Sequence, residues 1–160
     1  MGADIYLESV HDEHYRKYNT KFQEACVARD AAETEEARAK AQKKVEKYYD
    51  KMYQEGYFRD SYNGTSLFWV IGLSWWQDIQ TNDEGYLSVD GCKELLAEVS
   101  GRKIPDVAEL KTYLEGHNVV LDEDENSPEV WRKFFVERKE MLVEFLKQAI
   151  ELNEPLRCSV

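Results

Sequence analysis

Three cysteines in 160 residues, Cys26, Cys92 and Cys158, are odd in number and widely spaced, with no Cys-x-x-Cys pair. Neither a disulfide framework nor a zinc ribbon is encoded, and reduced thiols are expected. The longest apolar run, residues 67 to 76, is about half the ~20 residues that a membrane span needs. An excess of basic charge is also missing. Lys and Arg number 21 against 32 Asp and Glu, a net charge of −11. Affinity for a phosphate backbone or an anionic lipid surface comes from clustered Lys and Arg, so neither nucleic acid nor membrane is expected as a partner. No Gly-x-Ser-x-Gly elbow, phosphate loop or Cys–His pairing is present, so no catalytic residue and no cofactor is expected. The opening MGADIYLES lacks the basic and apolar regions of a secretion signal, and a cytoplasmic protein is expected.

What the chain does have is helix periodicity. A hydrophobic fraction of 42% is globular, and a charged fraction of 33% fits a well-solvated helical surface. Tyr15, Tyr18, Phe22 and Cys26 recur at helical spacing, as do Ala37, Ala41, Val45, Tyr48, Tyr49 and Met52. No Gly or Pro interrupts residues 12 to 54. One helix of that length would measure about 65 Å, whereas a compact domain of this size is about 40 Å across. A hairpin turning near Asp30 to Thr34 fits better, unless the protein is an extended oligomer. Gly56 is expected as the residue closing the second helix.

Further on, a helix over 65–79 is expected, capped by Asn63 or Thr65 and apolar nearly all round, hence central. Ser88 starts a helix to Gly101, Asp106 one to Gly116, and Ser127-Pro128 one to about Asn153. Residues 3–7 and 118–121 are candidate short strands that would pair. With no linker and no repeat, residues 1–160 are expected to form a single domain. The expected fold is mainly α: a single bundle of about five to six helices around the central apolar helix, with at most one short two-strand element.

Chemistry, if present, belongs to residues 57–79, where Trp69, Trp75 and Trp76 join Tyr57, Phe58, Tyr62 and Phe68. Arg59, Asp60 and Asn63 just ahead of the apolar run, with Trp75 or Trp76 as walls, form a candidate ligand-binding set. Arginine among aromatics can hold a carboxylate or phosphate in bidentate fashion while stacking on a ring. The blander alternative is a buried Arg59–Asp60 pair, with Asp4 or Asp78 as further partners, anchoring the loop. On either account Arg59 is expected to be mostly buried and paired.

Three other constellations read as ordinary structure. Residues 81–94, TNDEGYLSVDGCKE, imitate an EF-hand loop but place Gln80 and Gly91 where Asp and a bidentate Glu are required. His11 and His14 sit one helical turn apart but lack a third ligand, and two solvent-facing histidines are the simpler reading. Asp122 to Glu125 suit a solvated loop ahead of a helix N-terminus. No metal site is expected. The tyrosines at 15, 18, 48, 49, 53 and 57 fit a core rim or an interaction face.

Met1-Gly2-Ala3-Asp4-Ile5-Tyr6, the Tyr57-Phe58-Arg59-Asp60-Ser61 segment followed by tryptophan, and Asn82-Asp83-Glu84-Gly85 before a short helix occur together. In these the chain resembles a group of small uncharacterised bacterial and phage proteins, which usually carry Asn-Asn in place of Asp60-Ser61. The resemblance implies no activity, but it adds Asp4, Tyr6 and Arg59 as residues that meet in space. The expectation is a non-catalytic interaction or accessory protein with a protein partner and an undefined oligomeric state. The alternative is a protein that binds a small anionic ligand around Arg59.

Overall fold

In a computed structural model, residues 2–159 are described, and 58% of the chain is helical. No helix among them is long and apolar enough to cross a membrane. The residues group into two compact units, Leu7–Tyr57 and a second one made of the first strand with everything from Phe58 onward.

The first unit is the helical hairpin. Helix α1 spans Glu8–Asp30 and α2 spans Glu35–Met52. Thr34 starts α2 by accepting the Ala37 N–H on its hydroxyl at 3.2 Å, satisfying one of the helix's orphan donors. The turn thus falls where the length argument places it. Ala25, Ala41 and Val45 are buried, and such small side chains let two helices lie close. Aromatic rings extend the seam: Phe22 to Tyr49 at 6.1 Å, Tyr49 to Tyr53 at 4.9 Å, Tyr53 to Tyr57 at 5.0 Å. Gly56 does not close α2, which ends at Met52 with Tyr53 as its C-cap. It sits at φ +67° in the following turn, where a Cβ would lie 2.4 Å from the His11 amide nitrogen.

The second unit is built on a sheet that the sequence reading underestimates. Strands β1 (Gly2–Tyr6), β2 (Tyr57–Ser61), β3 (Tyr86–Leu87) and β4 (Leu156–Ser159) run in the order β2-β1-β4-β3. β4 pairs antiparallel with both neighbours, placing Ile5 opposite Cys158 and Leu87 opposite Leu156. Residues 118–121 form no strand, and β1 takes β4 and β2 as its partners. The reason is local. Asn118 adopts φ 58° and Val119 N–H bonds back to the Leu114 carbonyl, so this segment ends a helix. Alternation puts Ala3, Ile5, Leu156 and Cys158 into the core.

Helices α4 (Val89–Gly101) and α5 (Val107–Gly116) both pack on α6 (Pro128–Glu151), whose Phe145 meets Phe58 of β2 at 6.4 Å, and the three are capped by Ser88, Asp106 and Ser127 as their sequences require. The α6 core face is Phe135, Leu142, Phe145, Leu146 and Ala149.

The expected central helix over 65–79 is absent. Only one turn forms, α3 (Leu67–Val70), with Ser66 as its N-cap in place of Asn63 or Thr65. Gly72 at φ +73° stops it in a Schellman closure: Leu73 N–H reaches the Phe68 carbonyl at 2.8 Å and Gly72 N–H the Trp69 carbonyl at 3.1 Å. Apart from Gly72 and Trp76 the apolar run is buried or half-buried, but as a loop. Burial alone accounts for its composition, and composition cannot distinguish the two.

Candidate functional site

Strand β2 sets the geometry around Arg59. Successive residues of a strand face opposite ways, and here Phe58 and Asp60 are buried while Arg59 is exposed. The side chains of Arg59 and Asp60 therefore leave β2 on opposite faces.

Asp60, only 6% exposed, is the hub of the buried side. Its Oδ1 accepts the Leu67 N–H at 2.9 Å. Its Oδ2 accepts the Ser66 hydroxyl at 2.8 Å, the Phe68 N–H at 3.1 Å and the Trp75 indole N–H at 2.9 Å. The carboxylate thus caps α3 from a distant strand and pins the loop beyond it. Trp75 is fully buried and stacks on Phe68 with ring centroids 3.6 Å apart. A carboxylate committed to four donors holds structure. It is not positioned to take a proton from a substrate.

Arg59 corrects the expectation of burial. Its side chain is 55% exposed, and its Nε lies 3.7 Å from Asp4 Oδ1, so Asp4 and Arg59 do meet. Tyr6 stands opposite Arg157 in the sheet, and Asp78 serves the Ser74 amide at 2.6 Å. Asn63 folds onto its own loop, accepting the Thr65 N–H at 2.9 Å and the Thr65 hydroxyl at 2.6 Å. Trp76 is 59% exposed and stacks on Tyr62 at 4.8 Å. Of the five candidates, Asp60 is bonded to Trp75 on one side and lines a groove with Arg59 on the other, while Asn63 and Trp76 take part in neither.

Arg59 lines a small groove of about 390 Å³ with Gly2, Asp60, Ser61, Thr65, Phe134 and Arg138. Arg138 is the member that sequence reasoning missed. It donates to the Arg59 carbonyl and stacks over Phe58 at 4.5 Å, and no local pattern links positions 79 residues apart.

The remaining candidates are structural. Asn82 closes the EF-hand-like turn on itself, accepting the Glu84 and Tyr86 N–H groups at 3.1 and 2.8 Å. Asp122 accepts the Asn126 and Asp124 amides, and these bonds hold its carboxyl below the usual range. His11 and His14 are not solvent-facing. His11 lies among Tyr15, Tyr53 and Tyr57, and His14 Nε2 is 3.2 Å from Glu55 Oε2. Among the described residues no group of three or more His, Cys, Asp or Glu side chains could hold a metal ion. Burial pushes the Cys92 thiol up to about 11 and Cys158 up to about 12, so neither is a nucleophile near neutral pH.

A further feature lies on the outer face of α6. Val130, Phe134, Met141 and Leu152 are exposed by 46, 41, 53 and 52%. At 3.6 residues per turn these four fall within about 40° of arc and span about 33 Å of helix. The i, i+4, i+11 and i+22 spacing is legible in the sequence once the inward face is assigned. Glu137, Glu144 and Gln148 interleave on the same face.

No family model, curated protein or solved structure matches this chain.

Proposed function

We propose that the protein is a non-catalytic, cytoplasmic interaction protein whose docking surface is the outer face of α6. The observation that carries this is the exposed apolar line from Val130 to Leu152. Scattered surface apolar residues are ordinary, but an aligned set rimmed by charge is what helix-in-groove partners recognise. The partner's chemistry follows from charge. The unit holding α6 carries 21 acidic against 11 basic side chains, and the hairpin unit 11 against 10. Nearly all the net charge of −11 therefore belongs to this unit, and the charged side chains on the face itself are Glu137 and Glu144. The occupant is a basic amphipathic helix, its apolar stripe set against Phe134 and Met141 and its Lys or Arg beside Glu137 and Glu144, in exchange for the exposed Lys133 and Lys147 that pair with them. Support over the anionic-ligand alternative comes from the aromatic wall. That alternative needs tryptophan beside Arg59, and Trp75 is spent on Asp60.

The test is capture from a host lysate with wild type and with a Phe134→Asp/Met141→Asp variant, both checked for native circular dichroism. A specific partner lost on the variant and bound through a basic helix supports the proposal. The same proteins recovered by both forms, or a partner bound through an acidic segment, rejects it.

A further inference from the structure

A groove of about 650 Å³ is walled by the end of α4, the loop of Arg102, Lys103 and Ile104, and a second side of α6 that carries Arg132, Val136, Lys139 and Val143 and meets the exposed face at Glu144. Four of the eleven basic side chains of this acidic unit line it: Arg102, Lys103, Arg132 and Lys139. Its floor is Ile104, Val136 and Val143, all half-buried.

Part of that charge is used to hold the loop. Lys139 Nζ donates to the carbonyls of Ser100 and Arg102, satisfying acceptors at the end of α4. Arg132 Nε donates to the Pro105 carbonyl at 3.2 Å, and Arg102 pairs with Glu98 at 3.3 Å. The rest has no such role. Among the described residues the terminal nitrogens of Arg132 and the ammonium of Lys103 donate to no protein acceptor. Of the two carboxylates lining the groove, Glu144 pairs with Lys147 at 2.7 Å, so Glu140, together with the Glu98 held by Arg102, stands against four cations. Screening confines the field to about 8 Å at physiological salt. Inside the groove the local cations therefore outweigh the acidic remainder of the unit.

We infer that this groove binds an amphiphilic organic anion, with a carboxylate or phosphate monoester head and a short apolar body. The head is held by Arg132 and Lys103, since guanidinium matches either group in bidentate geometry. The body lies on Ile104, Val136 and Val143, an apolar lining with a few convergent polar groups of the kind ligand sites use. This reading stands apart from the α6 docking face, and the two fail separately.

Isothermal titration calorimetry on the full chain tests it with four probes: octanoate, octyl phosphate, octanol and acetate. Octanoate, octyl phosphate or both should bind, with octanol and acetate at least about tenfold weaker, because charge and body act together. Binding of one anion alone assigns the head group. Arg132→Gln and Lys103→Gln should each weaken binding about fivefold or more with unchanged thermal melts, while Phe134→Asp/Met141→Asp should not. Octanol binding as tightly as the anions, no saturation by either anion, or undiminished binding by both glutamine variants would overturn the inference.

Discussion

Replacing Asp60 with alanine removes the one acceptor that four donors share. The Ser66 hydroxyl, the Leu67 and Phe68 amides and the Trp75 indole all lose their partner in a region closed to solvent. Each buried donor left unsatisfied costs about 1–3 kcal/mol, so four set a ceiling of about 4–12 kcal/mol. The Ser66 hydroxyl can rotate, and the space left by the carboxylate admits water to the amides, so the effect belongs near the lower end. The expected loss is about 3–5 kcal/mol, in line with removing one member of a buried charged network. That is a large share of a domain's typical stability of about 5–15 kcal/mol. Asp60→Asn should cost less, about 1–3 kcal/mol: with its oxygen in the Oδ2 position it keeps three bonds and opposes only Leu67 N–H. Trp75→Phe, which deletes one donor and keeps the ring stack, should cost about 1 kcal/mol. Urea unfolding followed by far-UV circular dichroism orders the three. An Asp60→Ala loss below about 1 kcal/mol, or Asp60→Asn as costly as Asp60→Ala, would refute the hub.

Arg59→Ala should change stability by less than about 1 kcal/mol, since an exposed pair at 3.7 Å contributes little; a larger loss in the same urea assay would mean that Arg59 is buried in solution. Gly72→Ala should cost about 1–2 kcal/mol in that assay, because φ +73° strains any Cβ-bearing residue even though the nearest atom, Arg102 Nη1, would be 3.6 Å away. Iodoacetamide at pH 8 should label one thiol of the native protein, the half-exposed Cys26, and three after denaturation; a second fast-reacting native thiol would contradict the burial of Cys92 and Cys158. Both buried thiols have pKa values raised by burial above the ordinary 9.0. The stability they contribute is full below pH 9 and lost as pH climbs toward 11 and 12. A Cys92→Ala/Cys158→Ala variant should show a flatter decline between those limits in pH-dependent urea melts.

Helices with a cap and a period were legible: Ser88, Asp106 and Ser127 each mark a start that chemistry alone dictates. The hairpin turn followed from length against compactness. Of the sheet only β1 was legible, as the strand expected over 3–7; its pairing was not, because β1, β2 and β4 are five residues or fewer and their partners lie more than 50 residues away in sequence. Local pattern cannot carry that pairing. The 65–79 segment misled for a related reason: burial on all sides makes a pinned loop as apolar as a core helix, and the feature that decides, Asp60 accepting from Trp75, spans 15 residues. Reading residues 57–61 as loop also concealed the alternation that sends Arg59 and Asp60 to opposite faces. Arg138 was out of reach, since it meets Arg59 only through the packing of α6.

The central functional claim is that the outer face of α6 receives a basic amphipathic helix. Titrating a synthetic Leu/Lys helical peptide into isotopically labelled protein, and following backbone amide shifts by NMR, addresses it residue by residue. The account predicts saturable shifts along Val130 to Leu152 centred on Phe134 and Met141, abolished by Phe134→Asp/Met141→Asp. Shifts centred on the tyrosine-lined hairpin, or none anywhere along α6, would contradict it.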